Sequence, residues 1–248
     1  MIDTHAHLEA CADPPHEVVE RARSVGVERV LAVGSTIESC QAALAVADQE
    51  DGVFAILGIH PHEAEREGGR LDELRGLLAH TRAVAVGETG LDFYRDRAPR
   101  DRQLEVFEAE LALAADLGKP VVIHTRAADR ATVEALANFG GRVVLHCFSS
   151  PALLPVAVDR GYYVSFAGNV SFPNASELRI AATRVPADRI LAETDSPYLA
   201  PQPVRGRPNE PANVLHTLAA LAEARGEDVA ELEARIEANA SAAFDLPT

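Results

Sequence analysis

The chain is short of lysine, cysteine, basic charge and long apolar runs, and each shortage rules something out. Its three cysteines (Cys11, Cys40 and Cys147) are odd in number, far apart and without CxxC spacing. That excludes a disulfide framework and points to a reducing compartment. No apolar run approaches the roughly 20 residues needed to span a bilayer, so no membrane partner is expected. The first residues lack a basic stretch followed by an apolar one, so no secretory signal is read there and the expected location is cytoplasmic. Against 38 Asp and Glu stand 23 Lys and Arg, a formal net charge of −15. A passive nucleic-acid binder carries a basic footprint, and this chain has none globally. Handling of phosphodiesters would therefore rest on local positive charge, from bound metal or an arginine cluster. Low-complexity stretches, internal repeats and linker-like shifts in composition are absent too, so residues 1–248 read as one domain.

What is present is a rhythm. Short β-branched runs at 2–5, 29–34, 53–59, 83–88, 121–124, 142–147, 162–166 and 189–194 alternate with amphipathic stretches. Such βαβα alternation implies a parallel sheet with helical crossovers. Eight strands make an α/β fold of the (β/α)8 TIM-barrel type the leading architecture, with a doubly wound open sheet as the alternative. Asp13 before Pro14 reads as an N-cap, and the helical pattern over 102–117 stops at Gly118. The proline-rich stretch 195–211 reads as an ordered loop at one mouth of the barrel.

The unusual residues fall at strand ends. In DTHAH, alternation puts Asp3, His5 and His7 on one face of an extended segment. His60, His124 and His146 also end or follow strands, as do Glu88 and Asp195. A parallel barrel gathers all strand C-termini at one face, where active sites lie. The mixed nitrogen and oxygen donors, with no thiolate, suit Zn²⁺, Mn²⁺, Fe²⁺ or Co²⁺ better than an all-oxygen site. Six ligands are too many for one tetrahedral ion and suit two ions about 3.5–4 Å apart, with Glu88 as the bridging carboxylate. Asp3 either orients a histidine or caps a turn. Cys147 follows His146 on the opposite strand face and is expected in the core; His16, His80 and His216 are expected to face solvent.

The segments IDTHAHL (2–8), GIHPH (58–62), GETGLDFY (87–94), PVVIHTR (120–126), LHCFS (145–149), ETDSPYLAP (193–201) and RGRPNEP (205–211) resemble the TatD family of metal-dependent deoxyribonucleases. The resemblance implies a barrel with its metal site at the C-terminal end of the strands, and hydrolysis of DNA phosphodiesters. It implies His5, His7, Glu88 and Asp195 around one metal, and Glu88, His124 and His146 around the second. His60 would face the scissile phosphate, with His62 a weaker candidate; Asp92 would orient ligands or stabilise its loop. Where the family reads Gln-x3-Phe-x2-Gln, Gln103 and Phe107 fit but Glu110 stands last, and Ser150 replaces the usual glycine after HCFS.

The expected reaction is attack on phosphorus by a water that a divalent metal has acidified, with Asp195 as general base. His60 would stabilise phosphoryl charge. The expected cofactors are two divalent ions, Zn²⁺, Mn²⁺ or Mg²⁺, because availability can override ligand preference. Of the arginine clusters, RDRAPRDR (95–102) is as readily a solvated face as a DNA contact, whereas Arg205 and Arg207 in RGRP read as substrate-binding. The acidic balance favours single strands or ends. The rival activity is ester or amide hydrolysis, by an aminoacyl-tRNA deacylase or a single-metal deaminase. A carbamylated-lysine bridge is excluded, since Lys119 is the sole lysine and lies before the fifth strand, at the far end of the barrel.

Overall fold

The computed structural model describes residues 1–247. Eight strands form one sheet in chain order, all neighbours parallel. They are β1 (Ile2–Ala6), β2 (Arg29–Gly34), β3 (Val53–Leu57), β4 (Ala83–Asp92), β5 (Val121–Arg126), β6 (Val143–Leu145), β7 (Tyr163–Phe166) and β8 (Ile190–Ala192). Each β-to-β crossover carries a helix, and two more, Val214–Arg225 and Val229–Phe244, follow β8. With helices on the outside and side chains inside, the strands are buried on both faces, which is why they read as continuous apolar runs rather than alternating ones. Leu31, Ile56 and Phe166 are fully buried members of that core.

An open doubly wound sheet is excluded by the seam. Ala6 forms a parallel bridge with Ser196, the His7 amide donates to the Ser196 carbonyl at 2.8 Å, and the Asp195 amide donates to the His5 carbonyl at 3.0 Å. The chain after β8 thus returns to β1 and closes the barrel. Asp3 fastens the same seam: its carboxylate accepts from the Thr194 amide at 2.8 Å and from the Thr194 hydroxyl.

Three expectations need adjusting. β4 runs to Asp92, beyond 83–88, while β6 and β8 are shorter than their apolar runs. The first helix is Pro15–Ser24 with Pro14 at its N-cap, one residue later than expected, so Asp13 lies too far out to cap it and pairs with Arg21 instead. The helix at 102–117 begins two residues earlier, at Arg100, and ends as read, at a left-handed Gly118 (φ 65°). Among the described residues no helix is long and apolar enough to cross a membrane.

Candidate active site

Glu88, on β4, is the centre toward which the other strand ends point. Its Oε2 lies 3.4 Å from His5 Nε2, on β1, and 3.4 Å from His7 Nε2, just past the end of that strand. Its Oε1 lies 2.7 Å from His124 Nδ1, 2.8 Å from His146 Nε2 and 3.4 Å from His60 Nε2. Asp195 approaches the His7 side, with Oδ1 at 3.8 Å from Nε2. One carboxylate therefore turns a different oxygen to each of two histidine sets. Residues spread from 5 to 195 meet here because parallel strands end at the same face.

The donors fit a divalent cation. Three groups bring ligand atoms within 4.8 Å of one another: His5, His7 and Glu88; His60, Glu88 and His124; and His5, His146 and Asp195. His5 is fully buried, yet neither ring nitrogen has a hydrogen-bond partner, which a buried polar group rarely tolerates. A cation satisfies it. These groupings depart from the expected partition: His146 sits with His5 and Asp195, and His60 takes its place beside Glu88 and His124. His146 Nε2 still touches Glu88, so its ring stands between the two sets.

Burial governs protonation. It pushes the His5 and His60 imidazoles down to about 4, favouring the neutral ring, which at His5 is the form that ligation needs. It pushes Asp195 up to about 6. Burial would also raise Glu88, but the surrounding imidazoles, His146 first, hold it well below the usual carboxylate range. For His146 burial opposes charge and is overcome by Glu88 and Glu193, leaving the imidazole well above its ordinary value. His60 Nδ1 accepts from the His62 amide at 3.1 Å, so its neutral ring carries the proton on Nε2, facing the site as a donor.

Supporting residues set the ring orientations. Asp92 Oδ2 meets His62 Nε2 at 2.9 Å and His124 Nε2 at 3.2 Å, while Oδ1 accepts from the Tyr94 and Arg95 amides. It thus both orients a histidine and braces its loop, and it gives His62 a partner. Gln103 supports Asp92 in turn, accepting from its amide at 2.8 Å. Glu193, to which the sequence reading assigned no role, lies 3.2 Å from His146 Nδ1 and accepts from the Cys147 amide at 2.7 Å. A carboxylate inside the apolar run RILAET was the available signal. Asp3 touches no imidazole nitrogen among the described residues; its partners are Thr194 and the His5 amide. Cys147 is not a core residue: β6 stops at Leu145, and a left-handed Cys147 (φ 43°) brings the residue to the cavity wall.

The strand ends open into a cavity of about 670 Å³ lined by His7, His60, Glu88, His124, His146 and Asp195. Its wall includes Arg95, Arg97 and Arg126. Arg205 and Arg207, expected as substrate contacts, are exposed and do not line it. The Arg205 guanidinium lies 4.1 Å over the Phe172 ring. Within that stretch Asn209 is the anchor, donating to the Thr194 carbonyl at 3.0 Å. Lys119 donates to the Ala83 carbonyl, at the opposite end of the barrel.

The model of the family described as TatD related DNase matches residues 2–245. A Mycobacterium tuberculosis protein named uncharacterized metal-dependent hydrolase TatD is 40% identical over a 260-residue alignment, covering 99% of this chain and 98% of that one. A Klebsiella pneumoniae protein named 3'-5' ssDNA/RNA exonuclease TatD is 37% identical over 240 residues, covering 93% of this chain and 91% of that one. Among solved structures, YJJV, a TatD homolog from Escherichia coli K12, matches with a TM-score of 0.93 at 29% identity, covering 100% of this chain and 98% of that one.

Proposed function

The chain belongs to the TatD-related DNase family, and from that premise we propose that it is a metal-dependent hydrolase cleaving phosphodiester bonds at the ends of single-stranded DNA. The observation that carries this reading is Glu88, with His5 and His7 at one oxygen and His124 and His146 at the other. The exonuclease name of the Klebsiella relative supports the choice of substrate.

His5, His7 and Asp195 would hold one divalent ion, and His124 and His146 a second, with Glu88 shared; Zn²⁺, Mn²⁺ or Mg²⁺ are the ions in question. Bound there, they would supply Lewis acidity, acidifying water and neutralising phosphoryl charge. Asp195, beside His7 at the rim of the site, would take the proton of the attacking water. The water oxygen bonds to phosphorus, one P–O ester bond breaks, and the departing oxygen leaves as a hydroxyl after protonation. His60, with its proton on Nε2, donates to a phosphoryl oxygen and favours the more charged transition state. Asp92 and Glu193 hold His124 and His146 in place throughout.

The test is hydrolysis of an end-labelled single-stranded oligonucleotide after chelation, then with each metal restored. A metal-dependent ladder shortening from one end is expected, and Glu88→Ala should lower both activity and the number of ions bound. Failure to cleave with any metal, at measured full occupancy, sinks the reading. Hydrolysis of an aminoacyl ester or an amide under the same conditions would replace it.

A further inference from the structure

Behind the imidazoles a second carboxylate stands opposite Glu88. His5, on β1, and His146, directly after β6, are stacked, with ring centroids 3.9 Å apart and planes 13° from parallel. At one edge of this pair Glu88 presents Oε2 to His5 Nε2 at 3.4 Å and Oε1 to His146 Nε2 at 2.8 Å. From behind, Glu193, the residue directly after β8, presents its own Oε1 to His146 Nδ1 at 3.2 Å. That oxygen also accepts from the Cys147 amide at 2.7 Å. The other oxygen, Oε2, is buried without a partner, and so is His5 Nδ1. Buried polar atoms seldom stay single. These two are complementary, an acceptor and a ring nitrogen able to carry a proton. Burial would raise the Glu193 carboxyl, but the imidazoles, His146 first and then His5, bring it below its usual range, so His5 stands within its field. The stacking brings His5 within one ring thickness of the imidazole that Glu193 already holds, and a small rotation of either side chain closes the pair.

We propose that Glu193 is a positioning residue shared by both rings, with Oε1 holding a proton on His146 Nδ1 and Oε2 holding one on His5 Nδ1. Each imidazole then turns the lone pair of Nε2 to its ion. One buried carboxylate thereby sets a ligand of each ion from behind, as Glu88 joins the two ions from the front. This rests on the reading of His5 and His146 as metal ligands, and it is tested by where protons sit and how ions bind rather than by turnover.

The experiment is nitrogen-15 NMR of the full chain with labelled histidine, in chelator near neutral pH, which reports the ring nitrogen that carries each proton. In the parent His5 should hold its proton on Nδ1. Glu193→Gln then separates the two contacts. The Cys147 amide and His146 Nδ1 both donate to Oε1, so they keep the new amide's oxygen there and turn its NH2 group to His5. A donor at that place drives the His5 proton to Nε2, the nitrogen that would face the ion. Calorimetric titration with Zn²⁺ should show the ion that His5 holds bound about ten- to a hundredfold more weakly, and the other as in the parent. Glu63→Gln, at a carboxylate of the cavity wall paired with Arg66, removes the same charge and should alter neither readout. A His5 proton on Nε2 in the parent overturns the proposal, and that spectrum decides even where the variant fails to fold. A folded Glu193→Gln that binds both ions with parental affinity overturns it too. The expected protons in a parent that binds no Zn²⁺ would keep Glu193 as the holder of both rings and remove the metal reading instead.

Discussion

At Glu110 a fully buried carboxyl accepts one hydrogen bond from the Ile59 amide, at 2.8 Å, and another from the Thr89 hydroxyl. It thereby ties the residue before His60 to the residue after Glu88. Burial pushes this carboxyl from 4.5 up to about 8. In the unfolded chain the proton leaves above about 4.5, while the folded chain keeps it until about 8, so folding binds a proton and stability falls as pH rises across that window. Glu110→Gln removes the titration while preserving an acceptor for Ile59. Its stability relative to the parent should rise with pH by up to about 1.4 kcal/mol per unit between those limits. Urea unfolding of both proteins across the window measures it; parallel stability curves would refute the shift. Glu110 was visible in the sequence as a departure from Gln-x3-Phe-x2-Gln. That it would span β3 and β4 was not visible, because side-chain reach across strands depends on barrel register.

β4 is the element on which the site depends most. It supplies Glu88 and Asp92, and Gly90 between them has φ 135°, where a Cβ would lie 2.0 Å from the His124 carbonyl oxygen. Gly90→Ala must therefore push β4 off β5 as well as strain its own backbone. A loss of about 3 kcal/mol or more is expected, lowering the melting temperature by about 6–12 °C. A melting curve within two or three degrees of the parent would contradict the close approach. At this scale the strands themselves were legible, since runs such as RVLAVG and VFAIL are buried on both faces and show it in composition. Where a strand stops was less so. The left-handed turn at Cys147 has no marker in residue type, so a core thiol was read where the structure has a cavity residue; nor does residue type mark the lie of the 205–207 loop, whose arginines are exposed and off the cavity wall. The residues that gather around Glu88 were easier, because they sit at or just past strand ends.

For the whole molecule, the cluster of imidazoles and carboxylates around Glu88 links stability to metal. Free divalent ion at about a hundred times its dissociation constant should add about 2.7 kcal/mol, or about 5–10 °C in melting temperature for a chain of this size. Glu88→Ala should abolish most of that rise, and calorimetric titration of the two proteins checks whether the stoichiometry falls with it. An equal rise in both would show that the stabilising ions bind elsewhere.

The seam between β1 and the segment after β8 has one more consequence, for how the protein is made. Asp3 and Thr194 are 191 positions apart, so β1 cannot gain both its neighbours until the segment after β8 has been made. Contacts of such high sequence separation form late in folding. His5 and His7 therefore wait, without Asp195, until that segment is made. A chain released before β8 carries His5, His7, Glu88, His124 and His146 but has neither Asp195 nor a closed barrel to hold them together.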